Sequence, residues 1–179
     1  MSKNKTVILG VTASIAIYKA CEIVRRLNDE GYRVEVVMTE DAMQMIRPVV
    51  FQSLSGNKVH QGMFEDVASW EIGHVSLAGK AGLLLIAPAT ANIIAKLAAG
   101  ICDDLLSCVA LATRAPVMVC PAMNENMYLN KITQENIEKL NHLGFKFVAP
   151  KQGKLACGKT GLGCLAEVEK IIAEVKKIL

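Results

Sequence analysis

Aromatic side chains are scarce: 4% of the residues are Phe, Trp or Tyr, although 52% are hydrophobic. The apolar content is therefore aliphatic and small, which suits helices packed closely over a buried sheet better than an all-β sandwich. Long apolar runs are lacking as well. A membrane helix needs about 18 consecutive apolar residues, and the longest run, residues 81–89, is short and broken by Pro88. The first residues, Met1-Ser2-Lys3-Asn4-Lys5, lead into a strand-like run with no apolar leader or cleavage site, so a cytoplasmic location with no membrane partner is expected. Charge of one sign is also missing. The net charge is +3 with no run of five like charges, which argues against a nucleic-acid partner. Finally, Cys21, Cys102, Cys108, Cys120, Cys157 and Cys164 form no CxxC pair, so no metal site is expected. Four of the six lie in apolar segments, where a free thiol behaves as a small hydrophobe.

What is present alternates. A chain of 179 residues suits one domain over 1–179. Residues 6–10 (Thr-Val-Ile-Leu-Gly) read as a buried strand, and hydroxyl-bearing residues 11–14 can cap a helix. Ala16, Ala20, Ile23, Val24 and Leu27 then recur at helical spacing, and residues 33–38 form a second strand. Further strands are expected at 83–87, 116–120 and 145–148. Helices are expected after 39–41, at 48–54, 93–99, 105–113 and 131–143, and as an amphipathic element from Val168 to the end. Residues 57–73 read as an irregular excursion and residues 150–165 as a long Gly-rich loop. The expected fold class is α/β: a single-domain, doubly wound Rossmann-like (flavodoxin-like) parallel sheet with helices on both faces. Ligands of such sheets sit outside the carboxyl ends of the strands.

Four loops leave those ends. The first, Gly10-Val11-Thr12-Ala13-Ser14-Ile15-Ala16, is not GxGxxG, so a dinucleotide fingerprint is absent. Its two hydroxyls and helix N-terminus suit a single phosphate, with an ordinary cap at Ser14 as the plainer reading. Thr39, after the second strand, can reach the same ligand or only cap a helix. Ala87-Pro88-Ala89-Thr90-Ala91-Asn92 lets a flat ligand approach the backbone, with Thr90 and Asn92 as hydrogen-bonding groups, or forms a structural turn. Pro121-Ala122-Met123-Asn124-Glu125-Asn126-Met127-Tyr128 places a neutral amide, Asn124, where it can hold a carboxylate without the cation that would stabilise that carboxylate in the ground state. Glu125 and Asn126 read as exposed cap residues. His74 precedes the third strand, whereas His60 and His142 sit in polar surroundings and read as surface. Cys157, near Lys154 and Lys159 in a Gly-rich loop, has the setting of a reactive thiol on a lid.

Together with His74-Val75-Ser76-Leu77 and Ala156-Cys157-Gly158, these segments resemble the homo-oligomeric flavin-containing Cys decarboxylases over nearly the whole chain. The resemblance implies FMN as the cofactor, contacted by Ala13, Ser14, Ile15, Thr39, Thr90, Ala91, Asn92, Ile93 and Ala122. It implies a lyase of coenzyme A biosynthesis that converts 4′-phosphopantothenoylcysteine to 4′-phosphopantetheine and CO2. The thiol is oxidised towards a thioaldehyde, CO2 leaves to give an enethiol, and the enethiol is reduced. His74 would hold or deprotonate the reacting end, Asn124 would bind the carboxylate, Met127 and Ala156 would contact substrate, and Cys157 would supply the last proton. It also implies a trimer, with flavin where subunits meet, and assembly into dodecamers.

The chain departs from the family at Ala13, where Gly often follows the Thr, at Lys159, where Asp is usual, and at Cys164, where Arg is usual. Bacterial relatives often continue into a ligase domain. Ending at Leu179, the sequence reads as a stand-alone decarboxylase or as one half of a longer protein, with a ligase as partner in the same pathway. Two alternatives remain within the resemblance. One is a peptidyl-cysteine decarboxylase of lantibiotic precursors, which would not need Cys157. The other is a non-catalytic flavoprotein regulatory subunit, for which an acidic tail is missing.

Overall fold

The β-branched run after Asn4 becomes the central strand β1 (Thr6–Val11), buried on both faces. Val7, Leu9 and Val11 point into one hydrophobic core, and Ile8 points into the other. This is the period of two that a strand imposes, used here on a sheet covered on both sides. The structure, a computed structural model, describes residues 4–63, 73–156 and 158–179. After β1 come α1 (Ile17–Asp29), β2 (Arg33–Met38), α2 (Glu40–Met45), α3 (Pro48–Ser55) and the two-residue β3 (Val59–His60). Then follow α4 (Gly73–Lys80), β4 (Leu83–Ala89), α5 (Ala91–Ala99), α6 (Leu105–Ala112) and β5 (Val117–Pro121). The chain closes with α7 (Glu125–Leu129), α8 (Lys131–His142), β6 (Lys146–Phe147), β7 (Lys151–Lys154), β8 (Thr160–Cys164) and α9 (Val168–Ile178).

Among the described residues, six strands form one parallel sheet in the order β3-β2-β1-β4-β5-β6. Without the short edge strand β3, the order renumbers to the flavodoxin-like 2-1-3-4-5, as the alternation of elements implies. The chain turns one way after β1 and the other way after β4. This leaves a crevice between the two strands at their carboxyl ends. α1 and α9 bury Ile23, Val24, Leu27, Ile171 and Val175 against one face, and α5 and α6 bury Ile93, Ile94 and Leu106 against the other.

The local signals account for most boundaries. Thr90 caps α5 by accepting from the Ile93 N–H at 3.4 Å, and Gly100 ends it at φ 71°. Asp104 and Ser107 form a reciprocal capping box on α6. Lys96 donates to both Asp103 and Asp104 at 2.7 Å, tying the end of α5 to the start of α6.

Several expectations need correction. Residues 150–165 are not a loop throughout, because β7 and β8 pair antiparallel as a hairpin. The excursion expected at 57–73 contains β3 and meets α4 at Gly73, while residues 64–72, including Trp70, lie outside the described part. The fourth loop contains α7. His60 is not a free surface group: it is half-buried and lies 3.1 Å from Glu35, which is almost fully buried in β2. Cys102 and Cys108 lie side by side across the start of α6, with their Cα atoms 4.8 Å apart. Cys21, Cys120 and Cys164 are free.

Candidate active site

The crevice at the carboxyl edge opens into a cavity of about 530 Å³, within the range of small-molecule sites. Three groups of residues meet in it. Residues 13–16 after β1, with Tyr18 and Lys19 of α1, form one wall. Thr90, Ala122, Met123, Asn124 and Met127, beyond β4 and β5, form the second. The β7–β8 hairpin supplies the third through Lys151, Gly153, Lys154, Leu155, Ala156, Gly163 and Cys164.

Thr12 organises the first two walls. Its hydroxyl is buried, donates to the Pro88 carbonyl at 2.8 Å and accepts from the Thr90 N–H at 3.1 Å. The hydroxyl therefore braces the protein and does not face the cavity, which corrects the reading of two hydroxyls for one phosphate. Ser14 remains as the hydroxyl at the cavity, with a long 3.4 Å bond from the Ala16 N–H. Across the crevice, the Ala122 N–H donates to the Ala89 carbonyl at 3.0 Å, which holds the β4 and β5 ends together.

Asn124 is the N-cap of α7, and its Oδ1 accepts from the Asn126 N–H at 2.9 Å. A backbone N–H can only donate, so the atom it meets must be the oxygen. The Nδ2 amide is left as a donor at the cavity. Charge adds to this. Lys19 and Lys151 both approach Glu167, and the Lys151 ion pair raises that lysine further and lowers Glu167. Lys154 adds a third cation to the lining. An elongated ligand with an anionic end and a flat, weakly polar body suits this surface.

Of the residues singled out in the sequence, Ala13, Ser14, Ile15, Thr90, Ala122, Asn124, Met127 and Ala156 line the cavity. Thr39 does not. Its hydroxyl caps α2 by accepting from the Ala42 N–H at 3.4 Å, while its N–H donates to the Val11 carbonyl at 3.1 Å. Ala91, Asn92 and Ile93 form the first turn of α5 outside the cavity lining, and the Ile93 side chain is in the core. His74 stands in the first turn of α4, on the α6 side of the sheet, and does not line the cavity of its own chain. The end of α4 lies by the start of β1, where Asn4 donates to the Lys80 carbonyl and the Gly82 N–H donates to the Thr6 carbonyl. His74 stands at the other end of that helix, farther from the start of β1. Cys157 lies outside the described residues. Among the described residues no group of three or more His, Cys, Asp or Glu is placed to hold a metal ion.

Sequence reading missed Tyr18, Lys19 and Lys151 and took Glu125 for an exposed cap residue. The helical pattern of α1 drew attention to its apolar face, and in the Gly-rich segment attention went to Cys157 and its neighbours Lys154 and Lys159.

The Flavoprotein family profile matches residues 1–179. The chain is 44% identical over 170 residues to the coenzyme A biosynthesis bifunctional protein of Vibrio vulnificus, covering 95% of the chain but 42% of that protein. It thus spans less than half the length of the bifunctional relatives it matches. It is 42% identical over 178 residues to a probable phosphopantothenoylcysteine decarboxylase of Streptococcus mutans, covering 98% of the chain and 99% of that protein. A solved structure of a PPC decarboxylase mutant complexed with pantothenoylaminoethenethiol superposes with a TM-score of 0.85, at 29% identity over 96% of each chain.

Proposed function

Since the chain belongs to the Flavoprotein family, we propose that it is an FMN-dependent lyase that converts 4′-phosphopantothenoylcysteine to 4′-phosphopantetheine and CO2 in coenzyme A biosynthesis. The observation that carries this reading is the oriented Asn124 amide in a cavity walled by residues 13–15, Thr90 and Ala122. The residues fit the cofactor. Ser14 and the N-terminus of α1 suit one phosphate, and Ala13, Ile15, Ala122 and Met123 leave room for a flat ring. Bound FMN would supply the two-electron redox chemistry that the reaction needs.

The protein's own groups do the rest. Asn124 holds the substrate carboxylate through Nδ2 without a compensating charge, so the carboxylate is not stabilised against leaving. Met127 and Ala156 contact the substrate, and Cys157 supplies the proton that completes the product. His74 holds or deprotonates the thiol end. Since His74 is absent from the cavity of its own chain, a second copy brings it to the site. α4 and α6, which pack together, leave Val75 and Leu111 each 54% exposed, and covering them is the task of the neighbouring subunit. The assembly is a trimer, able to associate into dodecamers. Thr39, Ala91, Asn92 and Ile93 complete the flavin site from its rim.

The enzyme works in the cytoplasm, with a ligase as partner in the same pathway, either fused or separate. Among the described residues no helix is long and apolar enough to cross a membrane.

The test is a visible spectrum of the purified protein followed by turnover of 4′-phosphopantothenoylcysteine beside a Cys157→Ser variant. The expected result is a yellow protein that forms phosphopantetheine, and a variant that stalls at a product two mass units lighter. A colourless protein that does not take up added FMN contradicts the proposal.

A further inference from the structure

Glu125 reads in the sequence as an exposed cap residue, yet it is half-buried and its carboxylate points away from its own helix. Oε1 accepts from the Leu162 N–H of β8 at 2.7 Å. Both carboxylate oxygens lie where a side chain on residue 161 would stand: a Cβ there would meet Oε2 at 2.7 Å and Oε1 at 2.9 Å, so Gly161 is what lets the carboxylate lie flat on the strand. One residue on, the Met123 N–H donates to the Gly163 carbonyl at 3.0 Å. A Cβ on Gly163 would fall 2.2 Å from the Met123 carbonyl oxygen, and this glycine has φ 152°. Strand β8 is therefore pressed directly against residues 123–125. Within that contact, the bond from Leu162 to Glu125 is the one made by a side chain.

The two surfaces joined in this way face each other across the cavity. Asn124 and Met127 lie on one, and Lys154, Leu155 and Ala156 lie on the hairpin. Among the described residues the hairpin is also tied by the Lys151–Glu167 ion pair and by the Met123–Gly163 bond. Its ladder is short, with an irregularity between Lys151 and Gln152, and its turn closes through the Gly158 N–H to the Leu155 carbonyl and the Leu155 N–H to the Lys159 carbonyl. Cys157 follows Ala156 in the sequence.

We propose that Glu125 is a positioning residue: its carboxylate latches the β7–β8 hairpin onto the Asn124 loop and sets the distance between the carboxylate-binding amide and the hairpin that closes the reaction. This rests on the decarboxylase reading and adds to it a device for keeping the enethiol in place until it has been reduced. Loss of CO2 rests chiefly on Asn124 and the flavin site. Reduction of the enethiol to the thiol needs the hairpin held close. A loosened latch therefore spares the first half of the reaction and lets the enethiol escape.

The test compares Glu125→Ala, Glu125→Asp and Glu125→Gln with the wild-type holoenzyme. The readouts are the ratio of enethiol to thiol product by mass spectrometry and hydrogen exchange at the Leu162 amide. Glu125→Gln keeps an acceptor at the same reach and is expected to match the wild type in both. Glu125→Ala removes the acceptor and Glu125→Asp draws it back by one methylene. Both are expected to raise the enethiol share roughly tenfold, the upper scale of one hydrogen bond. Both are also expected to speed exchange at Leu162 while flavin content and CO2 release hold. An unchanged product ratio in Glu125→Ala overturns the proposal, as does loss in Glu125→Gln with retention in Glu125→Asp, which would mark a need for charge. Wild-type protein that releases no CO2 defeats the decarboxylase reading instead. In that case the exchange rate at Leu162 still decides whether the latch exists.

Discussion

Asn124 shows how one backbone group can settle a side chain's chemistry. Because the Asn126 N–H engages Oδ1, Nδ2 is left as the donor that Asn124 can offer the cavity. Replacing Asn124 by Asp would present a second carboxylate to the substrate's own. The expected result is a fall in kcat/KM of roughly a hundredfold or more, the scale for removing one oriented donor, with flavin absorbance unchanged. Much of this was legible in the sequence, since a neutral amide in a loop at a strand end already pointed to carboxylate binding. Glu125 was not legible, because only the folded hairpin brings Leu162 and Gly161 to it. Thr12 was misread for a similar reason: its partners, Pro88 and Thr90, lie 76 and 78 positions away.

Glu35 is the residue on which an acid-sensitivity prediction rests. The hydrogen bond to His60 holds its carboxyl below the ordinary value of 4.5 against the opposing effect of burial, and the charges of His60 and Arg33 act in the same direction. A depressed carboxyl pKa adds stability above the unfolded value and loses it as pH falls through the folded value. Thermal melts should therefore show wild-type protein losing an increment of Tm below about pH 4.5. The Glu35→Gln variant should start lower at pH 7 and lose less over that acid range. Equal acid slopes for the two proteins would remove Glu35 from the account.

At the scale of elements, runs with strong local chemistry were readable. β1, β2, β4 and β5 are β-branched and aliphatic and buried on both faces, and α5 and α6 carry hydroxyl or carboxyl caps. The hairpin was not readable. β7 is Lys-Gln-Gly-Lys and β8 is Thr-Gly-Leu-Gly-Cys, with neither alternation nor strand propensity to mark them. Docking on residues 123–125 holds them, and the glycines that weaken the strand signal are what that close approach requires. α7 escaped notice as well, since one five-residue turn inside a loop has no apolar face to reveal it. The α6 cap gives an element-scale prediction. Burial raises the Asp104 carboxyl, but bonds from Lys96 and Ser107 outweigh it and leave it lowered. Asp104→Ala should cost about 1–2 kcal/mol in denaturant unfolding, with the loss reduced where Asn replaces Asp.

At the scale of the whole molecule, the separation of His74 from the cavity is the feature that a single chain leaves unresolved. Ile15 (63% exposed) and Met127 (48% exposed) at the cavity, together with the apolar α4–α6 face, offer the surface on which further copies would complete the site. A sequence alone cannot separate such a face from a core, because both are apolar at helical spacing. If sites are shared, His74→Asn and Asn124→Asp subunits should each be inactive alone yet regain activity when co-expressed, since some mixed sites hold both native groups. Mixed assemblies that stay inactive would place His74 and Asn124 in one chain's site or remove His74 from the chemistry.

The most direct test of the central claim uses 4′-phosphopantothenoylcysteine labelled in its carboxyl carbon, measuring labelled CO2 against 4′-phosphopantetheine formed by the flavin-loaded protein. The account predicts the two in equal amounts, with the flavin oxidised again at the end of each turnover. Flavin-loaded protein that releases no labelled CO2 would contradict it.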